Sequence, residues 1–289
     1  MRVKKLSLKN KILNQVPPFR YLRGRITRLP VHSHYLHNSR MLDIYLPPAY
    51  DREPNRHFPV LYMHDGNNLF FPEIAFGGMP WHVDRMLNRL ISHKLVEELI
   101  VVGVYNTPGR DSEYTWTRMH TRWGSEGGQG ERYARFLSEE VKGLIDHNFR
   151  TLRDQRHTAV MGSSLGGLIS FYLGLYYPHV YGNIGMVSPS FWWDNRRAIK
   201  DARQFPPHLQ LWLDMGTREG DERTKVEHNE NILNLRAMKI ALENRGYREG
   251  VDLAYLEDRG GRHNEWHWGQ RLHLPLIYFF GKRKNLIMS

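Results

Sequence analysis

Short apolar runs closed by turn signals recur along this chain. Phe58-Pro59-Val60-Leu61-Tyr62-Met63 runs into His64-Asp65-Gly66-Asn67-Asn68, and Leu99 to Val104, Asn183 to Val187 and Leu209 to Met215 repeat the pattern. Such runs read as strands buried on both faces. Between them the apolar positions change period. Val83, Met86, Leu87, Leu90 and Ile91 fall at helical spacing within 81–95, as do Tyr133, Phe136, Leu137, Val141, Leu144 and Ile145 within 131–149. Residues 232–244 read as a further helix and 251–256 as a last strand. At the other end, Gly24 to Ile44 carries a hairpin pattern that Pro47-Pro48 terminates. Strands alternating with helices predict an α/β fold: a mostly parallel central sheet with an antiparallel N-terminal hairpin and helices on both faces. Residues 106–130 read as a long polar loop, 1–20 as an arm, and 21–289 as a single domain.

Composition adds three limits. Forty-one Lys and Arg against 30 Asp and Glu leave a formal charge of +11. The basic residues are spread along the chain with no aromatic-and-basic module, so no nucleic-acid partner is expected. A solvated basic surface accounts for the excess, and an anionic small-molecule substrate is the functional alternative. The absence of cysteine removes disulfides, thiol nucleophiles and thiolate metal sites. No apolar stretch is long enough to span a membrane, and the basic start lacks the apolar run of a signal peptide, so a cytoplasmic protein is expected.

The chemistry gathers where the predicted strands end. Arg156 to Val160 turns apolar, Met161-Gly162-Ser163-Ser164-Leu165-Gly166-Gly167 follows, and Leu168 onward can continue as a helix. Strand, glycine turn and helix around Gly162-x-Ser164-x-Gly166 match a nucleophile elbow, in which a serine on a sharp turn leaves no room for neighbouring side chains. A glycine-rich helix start is the bland alternative. A serine hydroxyl needs a base, and the base a carboxylate to orient it. His263, in a double-glycine turn late in the chain, is the expected base. Glu219 is the preferred acid, with Asp221 as substitute and Asp194 a distant third. The backbone N–H of Leu165, directly after the serine, and that of Asn67, in the turn after the Phe58-to-Met63 run, are the expected oxyanion donors. The spacing of His263 and His267 also suits zinc on a helix. Asn264, however, stands where the metalloprotease pattern needs glutamate, so no metal is expected. Nothing here requires a cofactor.

Taken together, these motifs resemble the Putative esterase family of α/β-hydrolases, which includes enterochelin esterases, feruloyl esterases and mycolyltransferases. The resemblance spans Arg40 to Leu272. It rests on His64-Asp65-Gly66-Asn67-Asn68-Leu69-Phe70, the Ser164 elbow, Ser188-Pro189-Ser190-Phe191-Trp192-Trp193, Gly216-Thr217-Arg218-Glu219 and Gly261-Arg262-His263-Asn264-Glu265-Trp266. The double tryptophan and the Gly-Thr-Arg-Glu turn are most similar to the enterochelin-esterase-like and esterase-D-like branch. The resemblance implies Ser164 as nucleophile, His263 as base and Glu219 as its orienter, acting through an acyl-enzyme on a small-molecule ester of aromatic or siderophore type. It also implies that the N-terminal module of larger enterochelin esterases does not fit before Gly24. Trp192 and Trp193 could wall an aromatic pocket or belong to the core, and Arg110 could hold an acidic group or lie solvated. An acyltransferase using the same nucleophile and a non-catalytic binding protein on the hydrolase scaffold remain as alternatives.

Overall fold

A computed structural model describes residues 23–122, 124–220 and 225–282. Eight strands form one sheet in the order β1-β2-β4-β3-β7-β8-β9-β10. The N-terminal hairpin is β1 (Arg25–Ser33) and β2 (Asn38–Leu46), paired antiparallel. Through β2 it joins β4 (Ile100–Val104), again antiparallel, and β4 lies parallel to β3 (Val60–Met63). From there the sheet is parallel through β7 (Thr158–Ser163), β8 (Asn183–Val187), β9 (Gln210–Gly216) and β10 (Leu253–Asp258). The expected architecture is therefore present. The expected arm over residues 1–20 lies outside the described residues.

Alternation within the strands divides the core into two layers. In β3, Val60 and Tyr62 face a cluster that includes Val102, Val160, Leu168, Ile169 and Leu235, whereas Leu61 and Met63 face one that includes Leu87, Val101, Met161 and Leu276. Both faces are apolar because helices cover both. α1 (Val83–Ser92) and the C-terminal pair α6 (Glu265–Arg271) and α7 (His273–Phe280) cover the second face. On the first face lie α2 (residues 130–148, with a π-helical stretch at Phe136–Val141), α3 (Leu165–Tyr176), α4 (Trp193–Asp201) and α5 (Glu230–Glu243). Every residue of α3 from Leu165 to Leu175 is buried, as befits a helix surrounded by protein on all sides.

One expectation needs correction. Residues 106–130 are not a plain loop, since Arg110–Glu113 forms a helical turn and β5 (Arg118–Thr121) pairs antiparallel with β6 (Gly124–Gly127). These strands are short, polar and largely exposed on β6, so no apolar period marks them.

Candidate active site

The parallel strands β3, β7, β8, β9 and β10 all end at one edge of the sheet. The turns that follow them carry Asn67, Ser164, Ser188, Glu219 and His263, so the topology gathers these residues at that edge.

Ser164 sits between β7 and α3 with φ 58° and ψ −123°, a backbone conformation rarely taken by a residue bearing a side chain. Its amide donates to the Val187 carbonyl at 3.0 Å, which fixes the turn against β8. The flanking glycines are required by space. A Cβ on Gly162 would stand 2.7 Å from His64 Cδ2 and 2.9 Å from the Gly166 backbone. Leu165 opens α3, so its N–H belongs to the first-turn amides that have no partner within a helix.

His64 fills the space beneath the elbow. It is 2% exposed, with Nδ1 2.8 Å from the Tyr133 hydroxyl, and among the described residues Nε2 has no partner. Burial pushes its pKa down to about 3, so the ring is neutral and acts as packing for the turn.

The turn after β3 is fastened from the side. Asp65 takes the left-handed conformation (φ 54°, ψ 48°), and Gly66 lies so close to β4 that a Cβ would stand 2.4 Å from the Gly103 carbonyl carbon. Arg110 grips Asp65 with two hydrogen bonds, Nε to Oδ1 at 2.7 Å and Nη2 to Oδ2 at 2.8 Å. Asn106 adds a third to Oδ1 at 2.6 Å, and the Tyr114 hydroxyl accepts from the Asp65 amide. Asn67, in the 3-10 turn Gly66–Asn68, is thus held with its own Oδ1 3.4 Å from the Asn106 amide. Arg110, expected to face a substrate, has its guanidinium fork occupied by Asp65 instead, and its place is in this support.

Glu219 and His263 meet directly. His263 Nδ1 lies 2.7 Å from Glu219 Oε2. Glu219 is 1% exposed, and its other oxygen accepts from Ser188 Oγ at 2.5 Å and from the Gly216 amide at 2.8 Å, with Arg271 Nη2 at 3.5 Å. Burial by itself would raise the Glu219 pKa, but the bonds from His263 and Ser188 and the Arg271 charge outweigh it and hold the carboxyl below its ordinary value. Arg271 is anchored in turn by Asp214 Oδ1, at 3.0 Å from Nε and 2.9 Å from Nη2. The indole of Trp268 donates to Ser188 Oγ at 2.9 Å and meets the His263 ring edge-on at 4.9 Å. Glu219 is therefore an anion inside the protein, pointing at one nitrogen of a half-exposed histidine. Asp221 lies outside the described residues. Asp194 lies in α4, in a left-handed stretch with Asn195 and Arg196.

The two tryptophans part company. Trp193 is 5% exposed and donates from Nε1 to the Thr117 carbonyl at 2.9 Å, tying α4 to the β5–β6 segment. Trp192 is 45% exposed. The pair is thus one core residue and one surface residue. His267 stands in α6 whereas His263 precedes it in a loop, and among the described residues no group of three or more His, Asp or Glu could hold a metal ion. The sequence reading did not single out Ser188, Ser190, Asp214, Arg271, Trp268 or His64 as part of the site. The position of Ser188-Pro189-Ser190 directly after β8 was the available signal for the first two; Arg271 and Asp214 carry no local signal.

A mostly parallel, doubly covered sheet with a serine on a strained strand–helix turn defines an α/β-hydrolase. The chain matches the model of the family described as "Putative esterase" over residues 33–279, and it belongs to that family; it is a carboxylic ester hydrolase. The protein YbbA of Bacillus subtilis, itself uncharacterized, is 26% identical over 253 residues, 86% of this chain and 96% of its own. A siderophore enterobactin esterase of Emericella nidulans is 25% identical over 224 residues, 68% of this chain and 70% of its own. The BES protein of Bacillus cereus shares the fold, with a TM-score of 0.68 at 18% identity over 97% of this chain and 99% of that one. Among the described residues no helix is long and apolar enough to cross a membrane.

Proposed function

We propose that the chain is a serine carboxylesterase with Ser164 as nucleophile, His263 as general base and Glu219 as the acid that orients it, and that the eight-stranded sheet is the core of one catalytic domain. The observation that carries this reading is the charged, buried Glu219 2.7 Å from His263 Nδ1, on the same sheet edge as the strained Ser164. With Nδ1–H bound to the carboxylate, Nε2 is left bare to take a proton. His263 removes the Ser164 proton as Oγ attacks the ester carbonyl. The amides of Leu165 and Asn67 receive the oxyanion. His263 then protonates the departing alcohol, and water repeats the sequence on the acyl-enzyme.

The substrate we propose is a small anionic aromatic ester of the catecholate siderophore type. The formal charge of +11, the exposed Trp192 and the relative that acts as a siderophore enterobactin esterase support this choice. Ser164→Ala tests the chemistry. Hydrolysis of a p-nitrophenyl ester should fall by about 10⁴-fold or more, with fluorophosphonate labelling lost and the fold intact. Retained hydrolysis overturns the nucleophile. A panel comparing kcat/KM for a catecholate trilactone, a feruloyl sugar and short acyl esters tests the substrate, and a preference for the short esters rejects the aromatic reading.

A further inference from the structure

The turn after β8 touches both halves of the site. Ser188 binds the acid, as described. Two residues on, Ser190 binds the nucleophile: its amide donates to the Ser164 carbonyl at 3.1 Å, and its Oγ lies 3.2 Å from Ser164 Oγ. Ser190 is 4% exposed, so water does not readily replace this contact. We propose that Ser190 donates its hydroxyl hydrogen to Ser164 Oγ and that this bond acts chiefly in the second half of the reaction, when Ser164 Oγ is the leaving oxygen. The proposal rests on Ser164 being the nucleophile.

The direction of the bond follows from proton counting. Ser164 has one hydroxyl hydrogen, and for a base to remove it that hydrogen must point at the base. Only the Ser190 hydrogen is then left for the contact between the two serines. In the acyl-enzyme the case is stricter, because Ser164 Oγ carries no hydrogen and can only accept. When water adds to the acyl carbon it gives its proton to His263. The bond from that carbon to Ser164 Oγ then breaks, its electron pair stays on Oγ, His263 returns the proton there, and the carboxylic acid leaves. Negative charge grows on Oγ as the bond breaks, so a donor already in place strengthens its hold in that transition state. In acylation the hydroxyl oxygen already accepts this bond before attack, whereas the ester oxygen of the acyl-enzyme accepts it only weakly, so the gain on reaching the transition state is smaller in acylation. Its effect is therefore unequal between the two halves.

Ser190→Ala, with wild type beside it, separates them. Acylation is read from the burst of p-nitrophenolate released from p-nitrophenyl acetate. Deacylation is read from the decay of the acyl-enzyme by intact mass once free ester is removed. Deacylation should slow about tenfold, the scale of one hydrogen bond to a developing charge, while acylation stays within about twofold. Where deacylation limits turnover, kcat and KM then fall together and kcat/KM holds. Acylation slowed as much as deacylation would make Ser190 a mere prop for the turn and overturn the proposal. So would faster turnover, which would mean that Ser190 draws the Ser164 proton away from the base. A wild-type enzyme that forms no acyl-enzyme on Ser164 overturns the nucleophile assignment itself, a failure seen before any variant is made.

Discussion

The two ends of the proposed catalytic set are built by different means. Ser164 is placed by backbone: a seven-residue stretch, glycines where a Cβ would collide, and an apolar strand and helix on either side. Glu219 and His263 are placed by side chains, with Ser188, Asp214 and Arg271 drawn from three other elements and as much as 83 positions apart in sequence. The nucleophile end is local and steric. The acid end is distant and electrostatic, so the two should fail in different ways when altered.

The sharpest break in that contrast is Glu219→Gln. The variant carbonyl can keep the bonds from Ser188 and Gly216, but its NH₂ then points at His263 Nδ1 and leaves the hydrogen on Nε2, which can no longer act as base. We expect kcat to fall by about 10⁴-fold with little change in unfolding temperature, by analogy with the neutralised acid of serine proteases. Equal activity in the variant would remove the acid from the proposed set. Arg271→Met should act on stability instead. Asp214, already raised in pKa by burial, and Glu219 would lose their shared cation, and the loss should cost about 3–5 kcal/mol in urea unfolding. A cost under about 1 kcal/mol would show that water replaces the cation and would blur the comparison.

At the nucleophile end, Gly162→Ala tests sterics without touching charge. The added methyl meets His64 and the Gly166 backbone, and either the turn or the ring must shift. The expected cost is about 1–3 kcal/mol in stability, with a loss of activity whose pH profile keeps its wild-type shape. A displaced acid limb would mean that the two ends are coupled. The effect of His64 is confined to acid pH. Its folded pKa of about 3 lies below the ordinary 6.5, so the unfolded chain binds the extra proton as pH falls. Its contribution to stability is whole above pH 6.5 and is lost toward pH 3, at up to about 1.4 kcal/mol per pH unit. His64→Gln should flatten the unfolding free energy over that range, and an unchanged slope in calorimetry would contradict a neutral His64.

The same contrast explains what was legible in the sequence. The sheet could be read because strands covered on both faces appear as unbroken apolar runs, as in Ile100–Val104, and the elbow because its residues are contiguous. The β5–β6 hairpin could not, since Arg118–Thr121 and Gly124–Gly127 have no apolar period. Glu219 is preferred over Asp221 from the sequence only by its place in the Gly-Thr-Arg-Glu turn. What favours Glu219 in the structure comes from Ser188 and Arg271, which no spacing rule connects to it. Arg110 and Trp193 drew attention as unusual residues in the right region, yet both are spent on holding segments together.

The clasp between Arg110 and Asp65 has a further consequence for how such a chain can change over time. The turn carrying Asn67 is steadied by a segment that begins after β4 and is otherwise tied to the sheet's covering helices through Trp116 and the Thr117 carbonyl. Insertions or deletions between Thr107 and Gln129 can therefore change how firmly that turn is held without altering the sequence around Ser164 or His263. Variation in substrate preference among descendants of this enzyme should concentrate in that segment, which offers a laboratory the same handle for redesign.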